Sequence, residues 1–376
     1  MYTPSNPNIV GDFVREWVPN LVAYLPATVQ GYIPSAEIAA LINVVICMVA
    51  MGVAGIGPVP VLIYMERKIC AHIQCRLGPM RLGPHGVLQL AADIMKLLFK
   101  EVYAPKSVQV FLYYLAPILV VTAPFLNLCM IPFGKNLQVA DLDIAIPFII
   151  AVNGFGILST MLAGWASNNK YSLISGMRSG AQLISYEVSF ALVLLLIVML
   201  AGSASLGGIT ESQSGYFWDW WIFKAPVLGL LAFVMFLISS TAELNRAPFD
   251  VAEAEQELTG GHHTEYTGMA FSMFYLAEYI NLFTTCCVAT VCFLGGYNAP
   301  CIGVAAVDGI LNMVPGIVWF LAKAFFMVVV YMMFRWTFVR PRTDLLMALE
   351  WKFLLPVNLI MLVLGFVFVA FGLFLP

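Results

Sequence analysis

Acids crowd one stretch of the chain: Glu243, Asp250, Glu253, Glu255, Glu257 and Glu265, with Arg246 the only fixed positive charge among them. Clustered carboxylates repel, so ionising one raises the pKa of the next. Such a set titrates as a coupled group and can hold protons near neutral pH. In extended backbone the spacing of Glu253, Glu255 and Glu257 places all three on one face; on a helix they spread over about 200°. Three further charges lie well inside long apolar runs: Glu187, Glu278 and Lys323. An ionisable group at that depth costs a few kcal/mol unless it is paired or hydrated, so it marks either tight packing of a neutral group or a hydrated path. Together with the acid-rich stretch, these residues outline a proton or ion path beside an inner site.

Metal chemistry has little support. His262 and His263 are adjacent and could buffer, but two neighbouring histidines without further ligands are a weak metal signal. Cys70 and Cys75 lack the C-x2-C spacing of a zinc or redox site, and most of the eight cysteines sit in or beside apolar runs as small hydrophobes. Neither a metal nor an iron–sulfur cluster is expected in this chain. A pI near 5.8 without a basic tract excludes nucleic acid as a natural partner.

The elements that must position these groups follow from hydropathy. The hydrophobic fraction is 61%, charged residues are 10%, and the mean hydropathy is +0.90. A soluble domain would carry about 25% charged residues, so lipid is the main solvent. Eight apolar segments are long enough to span, at about 38–65, 108–132, 144–165, 181–203, 225–242, 269–296, 310–334 and 353–375. The expected fold is an all-α integral membrane protein of eight transmembrane helices plus one interfacial helix. Fourteen of the 18 Lys and Arg fall in the connections after the odd-numbered spans, and three on the other side. That asymmetry puts the acidic stretch inside and both termini outside.

Residues 86–101 carry apolar side chains at 87, 90, 91, 94, 97 and 98, opposite Asp93, Lys96 and Lys100. This predicts an amphipathic helix lying on lipid or under a partner protein. Residues 1–36 form an N-terminal extension with a short surface helix, and 37–376 the membrane domain. The stretch 64–86 reads as the end of a span at Glu66, Arg67 and Lys68, followed by irregular backbone forced by two Gly-Pro pairs. The stretch 164–180 reads as a polar, small-residue loop feeding the helix that carries Glu187.

Several motifs recur in order: MERK, R-x-GP, GP-x-G-x-LQ, GWAS-x-x-KYSL, ISYE, AE-x-x-R-x-PFD-x-x-EAE-x-EL, TEY and AEY. Over residues 37–356 the chain resembles the H-type membrane subunit of respiratory complex I, the proton-pumping NADH:quinone oxidoreductase. The resemblance implies a position at the heel of the membrane arm, forming the membrane half of a quinone chamber with peripheral-arm subunits and touching other membrane-arm subunits. It implies quinone as substrate, reduced by a cluster held elsewhere, so that the isolated chain has no redox centre and no activity. It places Glu66, Arg67, Arg76 and Asp93 around the quinone entrance, with Phe274 and Arg335 near it. It also implies a proton-coupling line through Glu243, Arg246, Asp250, Glu253, Glu255 and Glu257 to Glu187, Glu265 and Glu278, with Lys323 inside the membrane. The run Arg340-Pro341-Arg342-Thr343-Asp344-Leu345 departs from the family pattern, so Arg340 and Asp344 are left out. The long N-terminal stretch favours a bacterial inner membrane over a mitochondrial one. The competing expectation is the related membrane subunit of a quinone-independent hydrogenase-type complex.

Overall fold

The computed structural model of the chain describes residues 48–49, 51–135, 137–250 and 259–372. Among these residues there is no strand, only two isolated bridges. The main helices are α1 (Pro58–Ile73), α2 (Gln89–Phe99), α3 (Val110–Cys129), α4 (Ala145–Ala166), α5 (Lys170–Ala201), α6 (Pro226–Glu243), α7 (Gly268–Phe293), α8 (Gly316–Thr337) and α9 (Thr343–Ala370). Seven of them, α3 to α9, are long and apolar enough to cross a membrane. The first of the eight expected spans falls partly outside the described residues. Its described part is helical over 51–56 and runs on into α1. The N-terminal extension lies outside the described residues altogether.

α7 is the centre of the bundle: 78% of its apolar window is buried, against 22% for α9 at the edge. Phe283 and Phe293 of α7 pack with Phe190 and Ile197 of α5 and Phe236 of α6 in one continuous core. Full burial of side chains this size contributes roughly 1.5–3 kcal/mol each. The amphipathic helix is present as α2. None of its residues is buried within the chain, and Leu98 and Phe99 are exposed, as expected of a helix made to lie on something else.

Three expected boundaries need correction. α1 does not stop at 65 but continues to Ile73, so Glu66, Arg67 and Lys68 are helical. The backbone ends only where Arg76 N–H bonds to Ala71 O and Cys75 turns to φ +52°. The supposed loop at 164–180 is largely helix, because α5 starts at Lys170, capped by the Asn169 side chain accepting from Tyr171 N–H. Its small residues serve packing: a Cβ on Gly164 would sit 2.7 Å from Ser172 O and 3.1 Å from Gly176 Cα. α4 and α5 therefore cross almost backbone to backbone, and glycine is required there. α9 begins at Thr343, ten residues before the expected apolar start.

Candidate functional site

The C-terminal half of α1, the N-terminal half of α7, the last turn of α8 and the chain leaving α6 meet at a buried ionic network. Glu66, 5% exposed, is the hub. Arg246 Nη1 lies 2.9 Å from Glu66 Oε2, and Arg335, on the last turn of α8, pairs with Glu66 Oε1. Tyr279 donates its hydroxyl to Glu66 Oε2 at 3.1 Å. Arg246 turns its Nε to Glu278 Oε1 at 2.9 Å and lays its guanidinium 4.6 Å from the Tyr279 ring centroid. Two arginines and two carboxylates thus balance one another, Glu66 and Arg246 buried and Glu278 and Arg335 partly exposed. Breaking such a pair by removing one partner costs about 3–5 kcal/mol, because it leaves a buried charge uncompensated. Burial works against the Arg246 charge, but Glu278 and Glu66 outweigh it and raise its pKa, so the guanidinium keeps its proton.

Beside the network lies a cavity of about 100 Å³, whose wall includes Glu278, Glu243, Asn153, Asn245, His262, His263 and Phe274. Glu243 accepts from Asn153 through Oε1, and Asn127 donates to Asn153 at 2.5 Å. Among the described residues Glu243 Oε2, Asn245 Oδ1 and His262 Nδ1 find no hydrogen-bond partner. A polar space of this size with such open valences suits water, which needs two to four polar partners. Two carboxyls, Glu243 and Glu278, share this wall, and Glu278 also belongs to the ionic network.

The histidines do not supply the buffering expected of them. Burial pushes His263 down to about 3 and His262, also beside His263, well below its usual range. Both rings are neutral near pH 7, their centroids 3.8 Å apart with the planes tilted by 42°, and both are held against Phe274. Among the described residues no group of three or more His, Cys, Asp or Glu could hold a metal.

Other expected residues fall outside this site. Arg67 and Asp93 pair at 2.6 Å across α1 and α2 with both side chains partly exposed. The pair faces away from Glu66 although Arg67 follows it in sequence. Burial tends to raise the Asp93 pKa, but hydrogen bonds from Arg67 and Gln89 outweigh it and lower it. Tyr64 donates to His85 O at 2.9 Å and Lys68 to Pro79 O at 2.9 Å, so the Gly-Pro loop is tied to α1. Arg76 is exposed and bonds locally to Gln74 Oε1 at 2.6 Å. Glu265 accepts from Asn169 Nδ2 at 2.7 Å at the start of α5. Glu187 faces α4 and lines a groove of about 330 Å³ with Ala151, Gly154 and Phe155. Asp250 is half-buried at the mouth of the acidic stretch. Glu253, Glu255 and Glu257 lie outside the described residues.

Lys323 is separate from all of these. Its Nζ donates to the carbonyls of Leu294 (2.7 Å), Gly296 (3.0 Å) and Asn298 (2.7 Å) and lies 4.1 Å from the Trp220 ring centroid. Those carbonyls follow the outer end of α7. At 1.5 Å per residue that is about 24 Å along the axis from Glu278. Among the residues that form the site, sequence reasoning missed Tyr279, Asn127, Asn153 and Gln182. Gln182 donates to Ala242 O (3.0 Å) and Phe249 O (2.7 Å) and so holds the chain that carries Arg246. Their signal was present, since each is a polar residue in an apolar run.

Comparison with known proteins finds relatives over most of the chain. Residues 16–366 match the family model described as NADH dehydrogenase. A protein of Bacteroides thetaiotaomicron, named as the H subunit of NADH-quinone oxidoreductase, is 47% identical over 83% of this chain and 87% of its own length. The H subunit of the same name from Phocaeicola vulgatus is 44% identical over 96% of this chain and 98% of its own. An H subunit of NADH-quinone oxidoreductase from Geobacter sulfurreducens is 42% identical over 79% of this chain and 86% of its own.

Proposed function

The chain belongs to the family of NADH-quinone oxidoreductase H subunits, and from that premise we propose that it forms the membrane part of a quinone chamber and the first proton-holding groups of the coupling path. The observation that carries this reading is the ionic network of Glu66, Arg246, Glu278 and Arg335, touching through Glu278 a polar cavity that also holds Glu243. A quinone gaining two electrons from a partner protein must also gain two protons. Negative charge arriving near this network would draw on the arginines and weaken their hold on Glu66 and Glu278. Each carboxylate so released binds a proton more readily, and neighbouring acids follow as a coupled group.

In this reading the chain crosses a bacterial inner membrane eight times, with both termini outside and the acidic stretch inside. Its partners are the quinone-site subunits of the peripheral arm and the other membrane-arm subunits. Arg67, Asp93 and α2 edge the quinone entrance, Arg76 and Phe274 line the approach, and Arg335 closes it onto Glu66. Asp250, Glu253, Glu255 and Glu257 lead from the chamber to Glu243, Glu187, Glu265 and Glu278. Lys323, enclosed by carbonyls, serves the outer end of the bundle instead of this line.

The test compares two activities of the assembled complex. Glu243→Gln is expected to assemble fully and Glu278→Gln, which takes one charge from the ionic network, at reduced yield; in what assembles both are expected to keep NADH oxidation by an artificial acceptor, while quinone-linked turnover falls or its pH profile moves. Wild-type quinone-linked rates, pH profiles and pumping ratios in proteoliposomes for both variants would refute the assignment.

A further inference from the structure

α9 changes its winding as it enters its apolar length. Between Thr343–Leu349 and Leu355–Ala370 it widens into a single π-helical turn, Glu350–Leu354. Such turns are rare and concentrate at functional sites. This one delivers the Glu350 side chain into the contact with α5, where it is 0% exposed, while Trp351, Lys352 and Phe353 stay exposed. Ser189 of α5 donates its hydroxyl to Glu350 Oε1. Asn358, further along α9 and 1% exposed, donates from Nδ2 to the Ser189 carbonyl at 3.5 Å. Among the described residues two acceptors in this contact find no partner: Glu350 Oε2 and Asn358 Oδ1.

Nothing nearby supplies a positive charge. Among the described residues no ion pair includes Glu350. From α5 the titratable group that faces it is Tyr186, whose hydroxyl is already donated to Leu346 O at 3.0 Å. Glu187, its neighbour, faces α4 instead, and Arg178 lies about 16 Å back toward the inner end of α5. α6, which also packs on α9, carries one titratable residue, Glu243, and that is bound to Asn153 of α4. On α9 itself Asp344 pairs with Arg342, and Lys352 is exposed. A bare carboxylate here would be an unpaired charge in an apolar contact, in which acceptors already outnumber donors.

We propose that Glu350, with Ser189 and Asn358, is a binding site for one proton, which the α5–α9 contact holds as a neutral carboxylic acid apart from the inner ionic network. The proton cancels the buried charge and converts one surplus acceptor into an O–H donor. The oxygen-only donor set also suits a hard monovalent cation such as sodium, and the experiment separates the two.

Infrared spectra of the assembled, membrane-reconstituted complex at neutral pH test the site. The wild type is expected to show a protonated carboxylic-acid carbonyl band that shifts slowly in heavy water, and Glu350→Gln to lack that band. Because an amide copies the shape of a neutral acid, Glu350→Gln is expected to assemble with an unchanged Tm. In sodium chloride and in choline chloride of equal ionic strength the wild-type Tm is expected to agree. Loss of a carboxylate band instead of an acid band would overturn the proposal, as would failure of Glu350→Gln to assemble. A sodium-specific rise in Tm that Glu350→Gln abolishes would overturn it in favour of a metal-cation site.

Discussion

The two ends of the bundle bury charge in opposite ways. At the inner end, side chain meets side chain: Glu66, Arg246, Glu278 and Arg335 balance one another beside a cavity whose wall keeps Glu243 Oε2 and Asn245 Oδ1 unpartnered. At the outer end, side chain meets backbone. Lys323 spends its three hydrogens on three carbonyls, Gln213 bridges Ile209 O, Val291 O, Trp221 N–H and Gly295 N–H, and Asn298 donates to Thr210 O. Backbone carbonyls do not titrate, so the acceptors of this knot are fixed, and with Gln213 and Asn298 it fastens the short helices Leu206–Glu211 and Trp221–Lys224 to the end of α7. Carboxylates do titrate, so the ionic network can change its protonation, as the proposed coupling requires. Lys323 differs from the buried arginine in that the acceptors of its ammonium are all backbone carbonyls.

The comparison breaks most visibly at Arg246. Arg246→Ala removes the guanidinium that Glu66 and Glu278 share, and the loss of about 3–5 kcal/mol is expected to appear as poor assembly, or as quinone-linked turnover down at least about tenfold in what does assemble. Activity with an artificial acceptor, measured on the same assembled fraction, is expected to persist. Wild-type quinone turnover at normal assembly would mean that the network is ornamental.

At the outer end, Lys323→Met is expected to cost about 2–3 kcal/mol in thermal unfolding, because buried carbonyls lose their donor. Turnover and pumping per assembled complex should stay at wild-type values. An unchanged Tm with failed pumping would reverse the roles of the two ends.

The histidine pair gives a smaller effect with a definite sign. His263 has a folded pKa near 3, and an unfolded histidine titrates near 6.5. The unfolded chain therefore binds more protons between those values, so stability is full above about 6.5 and falls as pH drops toward 3. The slope is on the order of 1 kcal/mol per pH unit for each histidine. His262→Asn with His263→Asn should flatten the Tm profile between pH 6.5 and 5; an equally steep profile would show that the pair is not held neutral.

The smallest stability effect is expected at Arg67, whose pair with Asp93 is partly exposed and salt-screened. Arg67→Ala should leave Tm nearly unchanged while raising the quinone concentration needed for half-maximal rate. The Asp93 pKa is lowered in the fold, so its pairing persists above the ordinary carboxylate range and is lost as pH falls through the lowered value. A large drop in Tm would show that the pair fastens α2 to α1 and is no mere edge of an entrance.

Hydropathy located the spans because lipid demands long apolar runs whatever their neighbours. It misjudged their ends. Ser172, Ser175, Gly176 and Ser179 read as loop, yet they form the start of α5, because small side chains let α4 approach closely. It also passed over the π-helical turn at Glu350, which leaves no mark on the apolar pattern. The site residues Glu66, Glu278 and Arg246 were legible as charges where charge is costly, although Glu66 was assigned to an entrance and the other two to a proton line.

The sequence by itself determined which segments are apolar enough to span, the asymmetry of basic residues between the two sides, and the short roster of ionisable groups that lipid would not tolerate without a reason. These are properties of composition and local order. Tertiary structure alone decided who pairs with whom. Glu66 and Arg246 are 180 positions apart, and no local pattern can say that the inner ends of α1, α7 and α8 converge on one point. Nor could any residue letter announce the partners of Lys323, since those partners are backbone carbonyls, which every residue carries and only the end of a helix leaves free.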